Sequence, residues 1–371
     1  MRRRNSVALL FFILLTAQIF ANSQAAPSAA QTPEPASSAQ APANSQPPSA
    51  PAPPNVSSPQ AGTAPDAHIT TAPVAGSAAQ NPDSADSGVF VFRRQVEEVV
   101  LHATVIDNKQ HIVTNLDKGS FTVFEDGHPQ AITSFRHEDI PVAMCVVVDN
   151  SGSMREKRAK VNAAALNLVR SSNPNDEVCV VNFNDEYYLD QDFTSNINKL
   201  KEGLEKIEAR GGTALYDAVV ASAVHLKEHA KLEKKVIFVV TDGDDNESSE
   251  TLEQAVRRLQ AENGPTVYAI GLLEGEEHAK HARRALQIMC ERTGGIAFLP
   301  RTLDEVDAIS RAVAHDIRSQ YTIGYKPTTP KTQGGYREVK VEAKSPDHGS
   351  KLTVRTKSGY YAGAEPAAGS Q

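Results

Sequence analysis

The 371-residue chain is poor in cysteine and carries no surplus of positive charge. Its three cysteines, Cys145, Cys179 and Cys290, are an odd number with no Cys-x-x-Cys or Cys/His spacing, so a zinc framework is excluded. Cys145 and Cys179 fall in apolar runs that read as buried strands, and the expectation is free, buried thiols. A net charge of -7 disfavours a nucleic-acid partner, because phosphate binding requires a basic surface. There is no P-loop and no G-x-G-x-x-G, so nucleotide binding has no support. There is no G-x-S-x-G elbow and no histidine in a context that marks a general base, so no enzyme activity is expected. His278 and His281 sit among Lys280, Arg283 and Arg284 and read as a solvated helix face. Beyond the first twenty residues, no stretch is apolar enough to cross a bilayer, so the mature chain is expected to have no transmembrane segment.

What is there divides into six pieces. Residues 1–25 read as an export signal: Arg2, Arg3 and Arg4, an apolar run from Val7 to Phe20, and small residues at Ser23 and Ala25. An uncleaved short anchor is the alternative. The implied address is periplasm, cell surface or medium. Residues 26–88 are Ala, Pro, Ser and Gln, with thirteen of the 22 prolines and almost no large hydrophobes. Such a segment cannot bury enough apolar area to offset its chain entropy, and a disordered tether is expected. Residues 89–140 carry β-type runs at Val89–Phe92, Val99–Ile106, Phe121–Phe124 and Ala131–Phe135. Residues 141–319 alternate buried strands with helices: strands at Val142–Val148, Val178–Phe183, Val236–Val240 and Thr266–Gly271, helices at about 155–171, 197–207, 215–229, 249–262, 280–292 and 303–319. That pattern predicts an α/β fold with a doubly wound, mainly parallel sheet. Period-two runs return across 320–362 at Tyr321–Tyr325, Arg337–Glu342 and Lys351–Arg355, and a short disordered tail, 363–371, follows. Three strands alone are marginal, so they are expected to pair with the 89–140 strands as one small β module.

The chemistry concentrates where the first buried strand ends. Asp149-Asn150-Ser151-Gly152-Ser153 follows Val148 directly. In open α/β sheets ligands bind beyond the carboxyl ends of strands. Residues 149, 151 and 153 can present three oxygens to one point. Gly211-Gly212-Thr213 precedes a helix, and Thr241-Asp242-Gly243 ends a later strand, so Thr213 and Asp242 can join them. Five oxygen donors, only two of them charged, suit a hard divalent cation, Mg²⁺ first, with Mn²⁺ or Ca²⁺ also fitting. An ion so held stays electrophilic, and a carboxylate from a partner could complete its coordination. The run Asp242, Asp244, Asn246 and Glu253 matches four EF-hand positions, but Glu247 stands where the sharp-turn glycine belongs, so a separate calcium loop is not favoured.

DNSGSM after a buried strand, GGT about sixty residues on, and TDGDD after a later strand resemble the metal-ion-dependent adhesion site of von Willebrand factor A and integrin I domains. The resemblance covers about residues 141–319. It implies a von Willebrand A (Rossmann-like) fold, with Asp149, Ser151, Ser153, Thr213 and Asp242 as metal ligands. The flanking segments, Phe121-x-Val123-x-Glu125-Asp126-Gly127 and Gln320-Tyr321 through Gly359-Tyr360-Tyr361-Ala362, resemble a family of exported bacterial von Willebrand factor A-related proteins. The resulting expectation is a binding module for a protein ligand, recognised through an acidic side chain. The alternative is an assembly subunit of an envelope complex, with the metal mainly stabilising.

Overall fold

The computed structural model describes residues 98–273, 278–345 and 351–363. The expected leader, the Ala/Pro/Ser-rich segment, the Val89–Phe92 run and the tail beyond Gly363 lie outside these residues.

The central layer is a six-stranded sheet. Its strands are β5 (Val142–Asp149), β6 (Glu177–Phe183), β7 (Tyr187–Thr194), β8 (Lys234–Thr241), β9 (Thr266–Gly271) and β10 (Ala297–Phe298), in the order β10-β9-β8-β5-β6-β7. All pairings are parallel except β6 with β7. Every residue of β5 and of β9 is buried, as a strand covered on both faces requires. Alternation divides β5 between two cores. Met144, Val146 and Val148 face one, with α1 (Arg158–Ser171), α2 (Ile197–Glu205) and α6 (Val306–Arg318). Ala143, Cys145 and Val147 face the other, with α3 (Leu215–His229), α4 (Leu252–Leu259) and α5 (His278–Thr293). From β5 the chain goes to β6 on one side and later to β8 on the other, so β5 and β8 diverge at a topological switch point.

One expectation is corrected here. Cys145 and Cys179 are joined in a disulfide across β5 and β6, and only Cys290 is a free, buried thiol. The ladder places Cys145 directly opposite Cys179, both on one face of the sheet, with Cα atoms 4.7 Å apart. Spacing of 34 residues in sequence reveals nothing of that register, which depends on how the two strands pair. Strand β7, an antiparallel edge, was not expected either: Tyr187-Tyr188-Leu189-Asp190-Gln191-Asp192 carries too few apolar residues to read as a sheet strand.

The two terminal segments build one β module. The remaining strands are β1 (Val99–Ile106), β2 (Phe121–Glu125), β3 (His128–Gln130), β4 (Ile132–Arg136), β11 (Tyr321–Tyr325), β12 (Tyr336–Ala343), β13 (Thr353–Arg355) and β14 (Gly359–Tyr361). They form two four-stranded sheets, β13-β1-β11-β4 and β14-β12-β2-β3. Each sheet mixes strands from both ends of the chain: Leu101 pairs with Ile323, and Val123 with Val341. Their inner faces share one apolar core that includes Leu101, Val123, Tyr321, Ile323 and Val341. Inside it, Arg337 pairs with Glu125, both almost wholly buried, while the Tyr325 and Tyr360 hydroxyls donate to Glu125 Oε2. At the seam with the α/β unit, Asp316 of α6 accepts from Tyr268 of β9 and from Arg355 of β13.

Candidate metal centre at the sheet's carboxyl edge

Asp149 is the last residue of β5 and is fully buried. Its Oδ1 accepts from the Ser151 backbone amide at 2.7 Å, and its Oδ2 from the Thr241 hydroxyl at 2.5 Å. Burial pushes its carboxyl up to about 6, with the charge of Asp242 adding to the effect and the Thr241 and Ser151 hydrogen bonds opposing it. Ser151 and Ser153 share a hydrogen bond of 3.1 Å between their hydroxyls. Ser153 Oγ then donates to Asp242 Oδ1 at 2.8 Å. Lys157 Nζ donates to Asp242 Oδ2, also at 2.8 Å. The oxygens of Ser151, Ser153 and Asp242 thus run in one hydrogen-bonded string beside Asp149.

The loop before α3 supplies the fifth residue. Thr213 is buried, and its Oγ1 lies against Gly243, so close that a Cβ there would stand 3.3 Å away. The backbone is clamped: Thr213 N donates to Asn246 Oδ1 at 2.9 Å, and Asn246 N returns a bond to Thr213 O at 3.0 Å. Gly211 adopts φ +75°, and any side chain there would strike the Asp185 carboxylate. Gly152 N donates to Gly211 O at 3.2 Å, which ties this loop to the one after β5. Four of the five residues expected from sequence therefore lie on three adjoining loops, and the fifth, Asp149, ends the strand that opens the first of them.

The donor set suits a hard cation. It consists of two carboxylates and three hydroxyls, and among the described residues no three His, Cys, Asp or Glu side chains gather to hold an ion. Oxygen donors with little charge match Mg²⁺-type ions far better than softer metals. A buried carboxylate with a second one beside it is a costly arrangement that a cation relieves.

Several supporting residues escaped the sequence reading. Thr241 holds one Asp149 oxygen and Lys157 holds one Asp242 oxygen. Asn246 clamps Thr213, and Asp185 accepts from Gly212 N at 2.5 Å. Thr241 had a signal, since a hydroxyl directly before the strand-end Asp242 sits where β8 opens next to β5. The acidic run after Asp242 works locally. Asp244 meets His281 at 2.8 Å, and Asp245 accepts from the Tyr216 amide at the start of α3 and from Ser248. Glu253 lies in the first turn of α4. None of these side chains is arranged as a calcium loop.

Residues 144–245 match the von Willebrand factor type A domain. This chain carries a von Willebrand factor type A domain. Such domains serve as protein-interaction and adhesion modules. Among curated proteins, the chain is similar to inter-alpha-trypsin inhibitor heavy chain H4 of Bos taurus, 26% identical over 194 residues. That match covers 48% of this chain but spans only 19% of the relative. Among solved structures, it is similar to a von Willebrand factor type A protein from Catenulispora acidiphila, with 14% identity, a TM-score of 0.40, and coverage of 73% of this chain and 74% of that one. It is also similar to proximal thread matrix protein 1 from the mussel byssus, a structure with a zinc-occupied MIDAS motif. That likeness has 17% identity, a TM-score of 0.43, and coverage of 52% of this chain and 50% of that one. No helix among the described residues is long and apolar enough to cross a membrane.

Proposed function

We propose that this chain is an exported, non-enzymatic binding module whose von Willebrand factor A domain recognises a protein partner through a divalent cation. Asp149, Ser151, Ser153, Thr213 and Asp242 would hold the ion, with Mg²⁺ the first choice and Mn²⁺ or Ca²⁺ acceptable. The observation that carries this reading is the hydrogen-bonded string of Ser151, Ser153 and Asp242 beside the buried Asp149, at the point where β5 and β8 diverge. When bound, the ion supplies a Lewis-acidic position that an acidic side chain of the partner can complete.

The chain's own residues prepare that position. Thr241 and the Ser151 amide fix both Asp149 oxygens, so the carboxylate is oriented before any ligand arrives. The Asn246 clamp fixes the Thr213 backbone. Preorganisation of this kind lowers the ordering cost of binding. The export signal expected at residues 1–25 agrees with a role outside the cytoplasm.

The test is affinity capture from a cell-envelope extract on the immobilised chain. A partner protein should be retained in Mg²⁺ and released by EDTA, and Asp149→Ala should fail to retain it. Retention that persists in EDTA and in Asp149→Ala would overturn the proposal.

A further inference from the structure

The amino end of β8, opposite the proposed cation site, borders a cleft of about 850 Å³. Small-ligand sites occupy roughly 300–1,000 Å³ and concentrate at junctions between packed parts. This cleft is such a junction. One wall belongs to the α/β unit: Val224 and Lys227 of α3, Lys235 of β8, and Arg257 of α4 with the turn that ends at Pro265. The other belongs to the β module: the turn at 334–335 and residues 361–363 at the end of β14. Hydrogen bonds join the walls, from Tyr361 N to Gln260 O at 2.9 Å and from Lys357 Nζ to Glu262 O at 2.7 Å. Asp242 follows the far end of β8, so cleft and cation site lie roughly 20 Å apart along the strand.

Charge sets this cleft apart from the rest of an acidic chain. Four cations, Lys227, Lys235, Arg257 and Arg258, line it against two carboxylates, Glu228 and Glu262. Arg258 is engaged by Glu250, and Glu262 is engaged by Lys331. Among the described residues Lys227, Lys235 and Arg257 form no ion pair, and on the carboxylate side only Glu228 is left. Arg257 is held in place by the Tyr361 ring, 5.0 Å from its centroid. Lys235 is half-buried, and burial pulls its ammonium below the usual lysine value, with the charge of Glu233 opposing. Cations held partly out of water without a carboxylate partner gain from an anion that enters beside them.

We propose that this cleft binds a small organic anion bearing two or more carboxylate or phosphate groups, held by Lys235 and Arg257, with the exposed Lys227 at its rim. Val224, Ala261 and Pro265 give the ligand's carbon frame an apolar surface. A ligand so placed touches both the α/β unit and the β module and fastens one to the other. The inference stands independently of the cation site.

The test is calorimetric titration of the full chain, without divalent metal and in about 0.15 M salt, which screens diffuse attraction. The probes are citrate, fructose 1,6-bisphosphate, inorganic phosphate and glucose. Citrate reads carboxylate recognition and the bisphosphate reads phosphate recognition. At least one of these two should bind and raise the unfolding temperature of the chain. Glucose should not bind, and inorganic phosphate should bind more weakly because it cannot span two cations. Lys235→Met and Arg257→Met should each weaken the bound probe about tenfold, the scale of one lost charge-assisted hydrogen bond. Both keep the apolar stem of the side chain, and Arg257 is exposed, so its variant decides the matter if Lys235→Met does not fold. Lys199→Met, on α2 across the sheet, and Asp149→Ala should keep wild-type affinity. Binding of neither citrate nor the bisphosphate would overturn the proposal. So would wild-type affinity in Arg257→Met and in folded Lys235→Met, or an equal loss in Lys199→Met.

Discussion

Asp149 shows how one buried carboxylate organises its surroundings. A carboxylate taken out of water needs its lone pairs satisfied, and the chain answers with a backbone amide and the Thr241 hydroxyl. Thr241 is itself fully buried and touches no ligand in the proposed scheme, so it acts by positioning. Thr241→Val keeps the shape and removes the donor. The variant should lose roughly 1.5–3 kcal/mol of stability, the usual range for a hydrogen bond to a charged group, measured by urea unfolding without added metal. Its Mn²⁺ affinity should also fall. Unchanged stability together with unchanged Mn²⁺ binding would mean that Asp149 is oriented by something else. At this scale Asp149, Ser151, Ser153, Thr213 and Asp242 were legible as candidates for the proposed site, because side-chain oxygens at strand ends and in the loops beside them stand out against the apolar strands. The residues behind them were not. Thr241 and Lys157 acquire roles only through contacts with residues about ninety positions away.

Elements were legible in proportion to the regularity of their pattern. The central strands β5, β8 and β9 announce themselves as apolar runs, and α3 falls on the expected residues 215–229. Edge strand β7 did not, since none of its residues is buried and its composition is polar. Pairing register was invisible as well, and with it the Cys145–Cys179 disulfide. That bond closes a 34-residue separation. On the loop-entropy account, such a closure contributes roughly 3–4 kcal/mol. The double variant Cys145→Ala/Cys179→Ala should therefore unfold at a clearly lower urea concentration than the oxidised wild type. Thiol titration in denaturant without reductant should find one reactive group per chain, Cys290. Three groups would show that the bond does not form in the isolated protein. Oxidation of this pair also agrees with the proposed export, because disulfides persist outside the reducing cytosol.

At the scale of the whole molecule, the α/β unit is inserted between two halves of a β module that neither half could build alone. Strand β1 needs β11, and β2 needs β12, although about two hundred residues separate the partners. Such pairing places both entry and exit of the α/β unit on one rigid base, and the Asp316 contacts with Tyr268 and Arg355 fasten the two parts together. The proposed binding loops lie at the carboxyl ends of β5 and β8, whereas the β module joins the unit through β9, α6 and the C-terminal ends of α4 and α5, where Gln260 O accepts from Tyr361 N and Arg292 O from Ser358 N. The base is therefore held by residues other than those that would meet a partner. Its integrity depends on a charge pair buried in the module core. Arg337 donates to Glu125 and to the carbonyls of Thr329 and Pro330, and Glu125 also takes the hydroxyls of Tyr325 and Tyr360. Arg337→Met leaves Glu125 as an uncompensated buried carboxylate, which should cost about 3–5 kcal/mol. Glu125→Gln/Arg337→Met together should recover part of that loss, because the stranded charge is gone. Urea unfolding followed by near-ultraviolet tyrosine signals reads both. Mn²⁺ titration of the folded Arg337→Met variant should match wild type, since the pair touches none of the three loops of the proposed site. A loss of Mn²⁺ affinity without unfolding would mean that the β module communicates with the site, and that the base does more than support it.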